Sequence, residues 1–154
     1  MPTLNPITVG YPKAMKDLVD VLIAEHRAVE SLLADVETTS DRQLRRETLA
    51  AAIAELKRLS ALEERFLHPA TREHLDAGEV LAAYESREHA EAGEKMARLA
   101  DLDDTDPEYE PLVSSLFFGV RDHVNEEETE LFPRLRAACD PETLRRLGTD
   151  AAST

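Results

Sequence analysis

Glu85 with His89, and His123 with Glu127, are glutamate–histidine pairs spaced four residues apart. On a helix, side chains four apart lie about 6 Å from each other on one face, so each pair can close on one ion. His26 and Glu63 complete a set of six, each standing where a helical apolar pattern calls for an apolar side chain. A lone carboxylate taken out of water costs several kcal/mol, and three held together repel one another. A cation among them answers both costs. Three imidazoles and three carboxylates suit iron or manganese better than zinc, whose structural sites take four ligands and often thiolates. The number of donors points to two ions.

These side chains need long helices to bring them to one depth. Only five glycines, no tryptophan and abundant Ala, Leu, Glu and Arg favour helix throughout. Residues 1–12 hold three prolines and no period, and read as an irregular leader. The first helix is expected over about 13–37, with Leu18, Leu22, Val29, Leu33 and Val36 inward and His26 among them. The second is expected to open on a capping box of Ser40 and Gln43. It carries Leu49, Ala52, Leu56, Leu59, Glu63 and Phe66 inward, kinks at Pro69 and ends at the Asp76-Ala77-Gly78 turn.

The third helix, about 79–100, presents Leu81, Glu85, His89, Ala92, Met96 and Leu99 inward. After the acidic loop DLDDTDP, Asp106 and Pro107 offer an N-cap and a first-turn proline for a fourth helix reaching about Ala138. Its inward positions read Leu112, Leu116, Val120, His123, Glu127 and Leu131. Asp140-Pro141 starts a short last helix that Gly148 is expected to close, leaving 149–154 as a flexible tail. The fold class is all-α: an antiparallel up-down four-helix bundle over 13–148, in one domain.

Each polar residue also has an ordinary reading. A lone inward histidine is more often a hydrogen-bonded core residue than a ligand, and a lone glutamate at a stripe edge usually reaches water. Six of them at the same depth of four helices favour the cation, because Arg27, Arg87 and Arg121 fall on other faces. His68, nine residues past Leu59 and half a rotation away, reads as a surface residue, as does His74. Glu126 and Glu128 read as solvated.

Composition narrows the partners. A formal charge of −14, from 32 acidic and 18 basic side chains, repels nucleic acid and anionic membranes, and no basic patch interrupts it. Cys139 is the lone cysteine, so no internal disulfide forms, and no histidine near it in sequence supports nucleophilic catalysis. No basic start leads into an apolar run and no eighteen-residue apolar stretch occurs, so a cytoplasmic location without membrane contact is expected. Gly-rich phosphate loops are absent.

The chain also repeats itself. EHRAVESLLADV from Glu25 matches EHAEAGEKMARL from Glu88, and EERFLHP from Glu63 matches EETELFP from Glu127, at offsets of 63 and 64 residues. In this alignment Glu85, His89, His123 and Glu127 correspond to Leu22, His26, Leu59 and Glu63. The set His26, Glu63, His89 and His123-x3-Glu127, with the twin EExxxxP segments, resembles the hemerythrin-like, or HHE cation-binding, family over about Asp17 to Ala138.

That resemblance implies an up-down bundle around two non-haem iron ions joined by an oxo or hydroxo bridge, with manganese as the alternative metal. It implies Glu63 and Glu127 as bridging carboxylates, Glu85, His89 and His123 on one iron, and His26 on the other. The family's usual histidine four residues before the first bridging glutamate is Leu59 here, and Tyr11 in the leader is the candidate to complete that iron. Glu85 supplies an anionic donor, which favours the ferric state and shifts the expectation from oxygen carriage to redox chemistry. The Glu-x-x-His pattern of ferritin-like diiron proteins is absent.

The expected function is binding of, or reaction with, a small oxidant: dioxygen, hydrogen peroxide or nitric oxide. Its enzymatic form is catalase-like peroxide decomposition. The alternatives are an iron- or oxygen-sensing module acting through a protein partner, and a bundle whose degenerate site serves protein contacts only.

Overall fold

The computed structural model describes residues 16–154, so the leader and Tyr11 lie outside the described residues. Helix α1, Leu18–Thr38, begins where Asp17 and Asp20 cap each other: Asp17 accepts from the Asp20 amide at 2.9 Å and Asp20 from the Asp17 amide at 3.1 Å. Arg136 ties that start to the fourth helix by donating to Asp17 and Asp20 at 2.9 and 2.8 Å. The predicted inward stripe of α1 is buried throughout, His26 included.

Helix α2 runs as Arg42–Leu62, a π-helical segment Glu63–Leu67, and His68–His74. Its N-cap is Asp41, accepting from the Leu44 amide at 2.8 Å, one residue beyond the expected Ser40 box. Gln43 turns instead to Glu47, at 3.0 Å. Helix α3 is Gly78–Asp101. Helix α4 repeats the design of α2: Tyr109–Glu126, a π segment Glu127–Leu131, and Phe132–Ala138. It starts later than Asp106-Pro107 suggests, because Asp106 accepts from the Glu108 amide in the loop at 2.8 Å and leaves the helix to begin at Tyr109.

Three-residue connections at 39–41 and 75–77 force α1, α2 and α3 to run alternately up and down, and 102–108 does the same for α4. The buried leucines, valines and phenylalanines form one continuous core between them.

Both π segments end immediately before a proline-bearing turn, Pro69 in one half and Pro133 in the other. Proline lacks the N–H that an α-helical ladder needs, and its ring clashes with the carbonyl four residues back. In each half an i→i+5 bond takes over, from the His68 amide to the Glu63 carbonyl and from the Phe132 amide to the Glu127 carbonyl. The backbone stays helical through the proline, so the expected kink at Pro69 is taken up as a wide turn.

Two glycines serve close approach rather than termination. At the α2–α3 turn the left-handed residue is Ala77, with φ 60°, while a Cβ on Gly78 would collide with the Thr71 carbonyl. Gly148 does not close the last helix, α5, which runs Pro141–Ala152. It lies buried where α5 crosses the start of α1, and a Cβ there would sit 2.5 Å from the Asp17 carbonyl carbon. Backbone cannot step aside as a side chain can, so Gly148→Ala is expected to cost about 1–3 kcal/mol. Thermal unfolding followed by circular dichroism checks this; an unchanged midpoint would refute the close-packing reading.

Candidate metal centre

Five of the six sequence-derived residues converge on one point. Single donor atoms of Glu63, Glu85, His89, His123 and Glu127 all lie within 4.8 Å of one another. The sixth, His26, reaches the same carboxylates from the far side: its Nε2 lies 3.0 Å from Glu127 Oε1 and 3.4 Å from Glu63 Oε2. The two halves are related by the repeat. His26 Nε2 faces Glu127 at 3.0 Å, and its counterpart His89 Nε2 faces Glu63 at 3.0 Å.

Each carboxylate is placed by its helix. Glu63 and Glu127 open the two π segments and are 1% and 0% exposed, while Glu85 comes from the buried face of α3. Among the described residues no lysine or arginine pairs with these three glutamates, whose ionic contacts are all to imidazoles. Arg121 is held at Glu30 and Glu37, away on the surface.

The contacts are close but misdirected. Glu127 Oε1 and Oε2 lie 3.0 and 3.1 Å from the Nε2 atoms of His26 and His123, yet neither oxygen accepts a hydrogen bond. Glu85 Oε1, His123 Nε2 and His123 Nδ1 are likewise buried without a partner. Orphaned polar atoms are rare in a folded interior because each costs about 1–3 kcal/mol. Here four of them, from Glu85, His123 and Glu127, belong to side chains whose donor atoms lie within 4.8 Å of one another. Two donors about 2.1 Å from one ion sit about 3 Å apart when adjacent and about 4.2 Å apart when opposite. Neighbouring nitrogens and carboxylate oxygens in this cluster lie 3.0 to 3.9 Å apart, within that interval, and the five donors together lie within 4.8 Å. The donor set therefore fits a hard or borderline transition-metal cation.

Without metal, protons hold the cluster together. Burial alone would lower the His26 imidazole, but Glu127 and Glu63 outweigh it and push it up to about 10. Burial likewise opposes His123, and Glu127 and Glu63 push it up to about 12. Glu85 is raised to about 10, first by burial and then by the neighbouring Glu127. Burial also works against the Glu63 carboxylate, yet His123, His26 and His89 hold it well below its usual range. Metal entry must therefore expel protons.

The outer nitrogens of the rings face carboxylates. His26 Nδ1 donates to Glu128 Oε2 at 2.7 Å, and Arg27 in turn donates to Glu128. His89 Nδ1 lies 3.6 Å from Glu64, and His123 Nδ1 lies 3.6 Å from Glu88. Of the three, only the His26–Glu128 contact is a hydrogen bond of the kind that fixes ring orientation around a metal; His89 Nδ1 and His123 Nδ1 have carboxylates near but no partner. Glu128, expected to be solvated, is corrected by this contact: His26 and Arg27 of α1 both donate to its carboxylate.

His68 is the larger correction. Expected at the surface, it is 1% exposed, with its Nε2 orphaned 4.0 Å from Glu85 Oε1 and its ring 5.1 Å from that of His89. An α-helical count places it off the stripe; the π turn adds the residue that brings it back. The twin prolines after EERFLH and EETELF are the sequence signal for that irregularity. His74 stays partly exposed near the helix end.

The other half differs. Leu22, Leu59 and Phe132 occupy the positions of Glu85, His123 and His68. Beside Leu59 lies a cavity of about 70 Å³ whose lining is mostly apolar, Leu56, Met96 and Val120 among it, and also includes His26, Glu63, His123, Glu88 and Lys95.

Residues 17–135 match the family described as hemerythrin HHE cation binding domain. The chain belongs to that family. A hemerythrin HHE cation binding domain-containing protein from Mycobacterium kansasii has a similar crystal structure, with a TM-score of 0.79 and 21% identity, over 90% of this chain and 85% of that one. A curated relative described as a DNA nickase, from Nostoc sp. (strain PCC 7120 / SAG 25.82 / UTEX 2576), is 25% identical over 150 residues. That match covers 95% of this chain and 41% of the relative, so the chain spans less than half of that protein. As a hemerythrin HHE domain the chain has the helical bundle and the cation-binding character that its buried donor cluster supports. No described helix is long and apolar enough to cross a membrane.

Proposed function

We propose that this bundle binds non-haem iron and reacts with a small oxidant, hydrogen peroxide first among them. The observation that carries the reading is the orphaned donor cluster, in which Glu63 and Glu127 touch histidines of both halves. In the full form of the reading Glu85, His89 and His123 would hold one iron and His26 a second, with Glu63 and Glu127 contributing to both. Manganese is the alternative metal.

Bound iron supplies a reversible change of oxidation state. The chain supplies the rest. Glu128 orients the His26 ring through its outer nitrogen, and Glu64 and Glu88 put negative charge beside those of His89 and His123. The cavity beside Leu59 gives a molecule the size of peroxide or dioxygen an approach lined mostly by apolar side chains. Peroxide needs no outside reductant: two molecules yield one dioxygen and two waters, one oxidised and the other reduced. Iron-loaded protein should evolve oxygen from peroxide, and loaded protein that evolves none would remove the catalase-like form.

Leu22, Leu59 and Phe132 favour a second reading, in which one ion is held firmly and the His26 position weakly. Restoring the missing donor with Leu59→His, the counterpart of His123, is expected to tighten the weaker ion at least tenfold. Metal analysis after dialysis checks it, rising from about one to about two irons per chain; an unchanged count would show that Leu59 does not limit the site. The nickase description of the Nostoc relative finds little support here, since a charge of −14 repels a phosphate backbone.

A further inference from the structure

Seven buried side-chain atoms lack a hydrogen-bond partner among the described residues, and six of them belong to residues singled out above as donors. The seventh is His68 Nε2. It lies 4.0 Å from Glu85 Oε1, itself orphaned, and Glu85 Oε1 lies 3.5 Å from the orphaned His123 Nε2. Unpartnered polar atoms of α2, α3 and α4 therefore follow one another from His68 through Glu85 to His123, and His68 Nε2 stands at the edge of the five-donor cluster, next to its Glu85.

The backbone has made an exception to put His68 there. Five residues past Glu63 lies about 140° round an ordinary α-helix. The π segment replaces that turn, bonding the His68 amide to the Glu63 carbonyl, so residue 68 stacks over the bridging position. Extra-residue turns of this kind concentrate at functional sites.

The repeat supplies an internal control. Phe132 occupies the same place after the second π segment, is 2% exposed, and stacks on His26 at 5.7 Å, where His68 packs tilted against His89 at 5.1 Å. Ring packing alone is thus served by phenylalanine. A histidine in that place adds only a buried nitrogen, which costs stability unless something binds it.

We infer that His68 is a metal donor, joining Glu85, His89 and His123 so that this half of the cluster is rich in imidazole and the His26 half is poor. The inference rests on the metal-binding reading above.

The test uses ferrous iron under anaerobic conditions, with affinity read by chelator competition on the full chain carrying His68→Phe or His68→Leu. Both variants should bind iron at least tenfold more weakly than the native chain. Metal-free His68→Phe should melt at or above the native midpoint, having lost an orphaned nitrogen, while its iron-induced rise in midpoint shrinks. Native affinity in a folded variant would overturn the inference and leave the metal reading standing. Should the phenylalanine variant fail to fold, the smaller leucine decides alone. A native chain that binds no ferrous iron would overturn both.

Discussion

Glu127→Gln is expected to weaken iron binding at least a hundredfold, equivalent to about 2.7 kcal/mol. Glu127 is fully buried and its two oxygens face His26 and His123, one from each half of the repeat. Glutamine keeps the size and removes the charge, replacing one acceptor oxygen with an N–H2 group aimed where a cation would sit. Packing is preserved, so the loss should appear in metal affinity rather than in folding. Glu130→Gln is the control: that glutamate is exposed on the same π segment, outside both groups of candidate donors, and should leave affinity unchanged. Chelator competition reads both. Native affinity in Glu127→Gln would remove the bridging role assigned to this residue.

The second large effect is a reversal of pH dependence on metal loading. In the metal-free chain His26 is raised from 6.5 to about 10, His123 from 6.5 to about 12, and Glu85 from 4.5 to about 10. A folded state whose groups are raised holds more protons than the unfolded chain, so these groups' contribution is present at low pH and is lost as pH rises. The loss begins near 4.5 for Glu85 and near 6.5 for the histidines, and ends only at about 10 to 12. Glu63 has the opposite sign, but its depressed value matters only below 4.5. Between pH 7 and 9 the metal-free protein should therefore lose about 1.4 kcal/mol per unit for each proton retained. One such proton corresponds to about 3–6 °C in midpoint per unit for a chain of this size.

Iron should reverse this, because ligands must be deprotonated to bind. Affinity should climb at least tenfold per pH unit, and the loaded protein should not share the alkaline loss. Melting curves at pH 6, 7, 8 and 9, with and without iron, check both arms. Parallel curves would mean that the protons and the metal do not compete for the same atoms.

The six polar residues were legible because each interrupts an apolar stripe that is otherwise continuous. Leu22, His26 and Val29, or Leu59, Glu63 and Phe66, can be read as one face with no structure in hand, and those faces are buried. His68 and Glu128 were not legible under a constant 3.6-residue period. His68 follows a π segment, where one extra residue shifts every later side chain, and Glu128 is covered because His26 and Arg27 of the distant α1 reach it. Pro69 and Pro133 marked the places, but proline alone does not say whether a helix kinks, ends or widens. Gly148 shows another boundary of sequence reasoning. Glycine near a helix end suggests a stop, and only the crossing of α5 over Asp17 reveals that it is there for lack of a Cβ.

The most direct trial is to load the purified chain with ferrous iron, admit oxygen, strip loosely held metal, and measure iron per chain together with the near-ultraviolet absorption. The account expects between one and two tightly held irons, with a ferric absorption band that Glu127→Gln removes. A well-folded chain that emerges free of iron, with its melting point indifferent to the treatment, would contradict it.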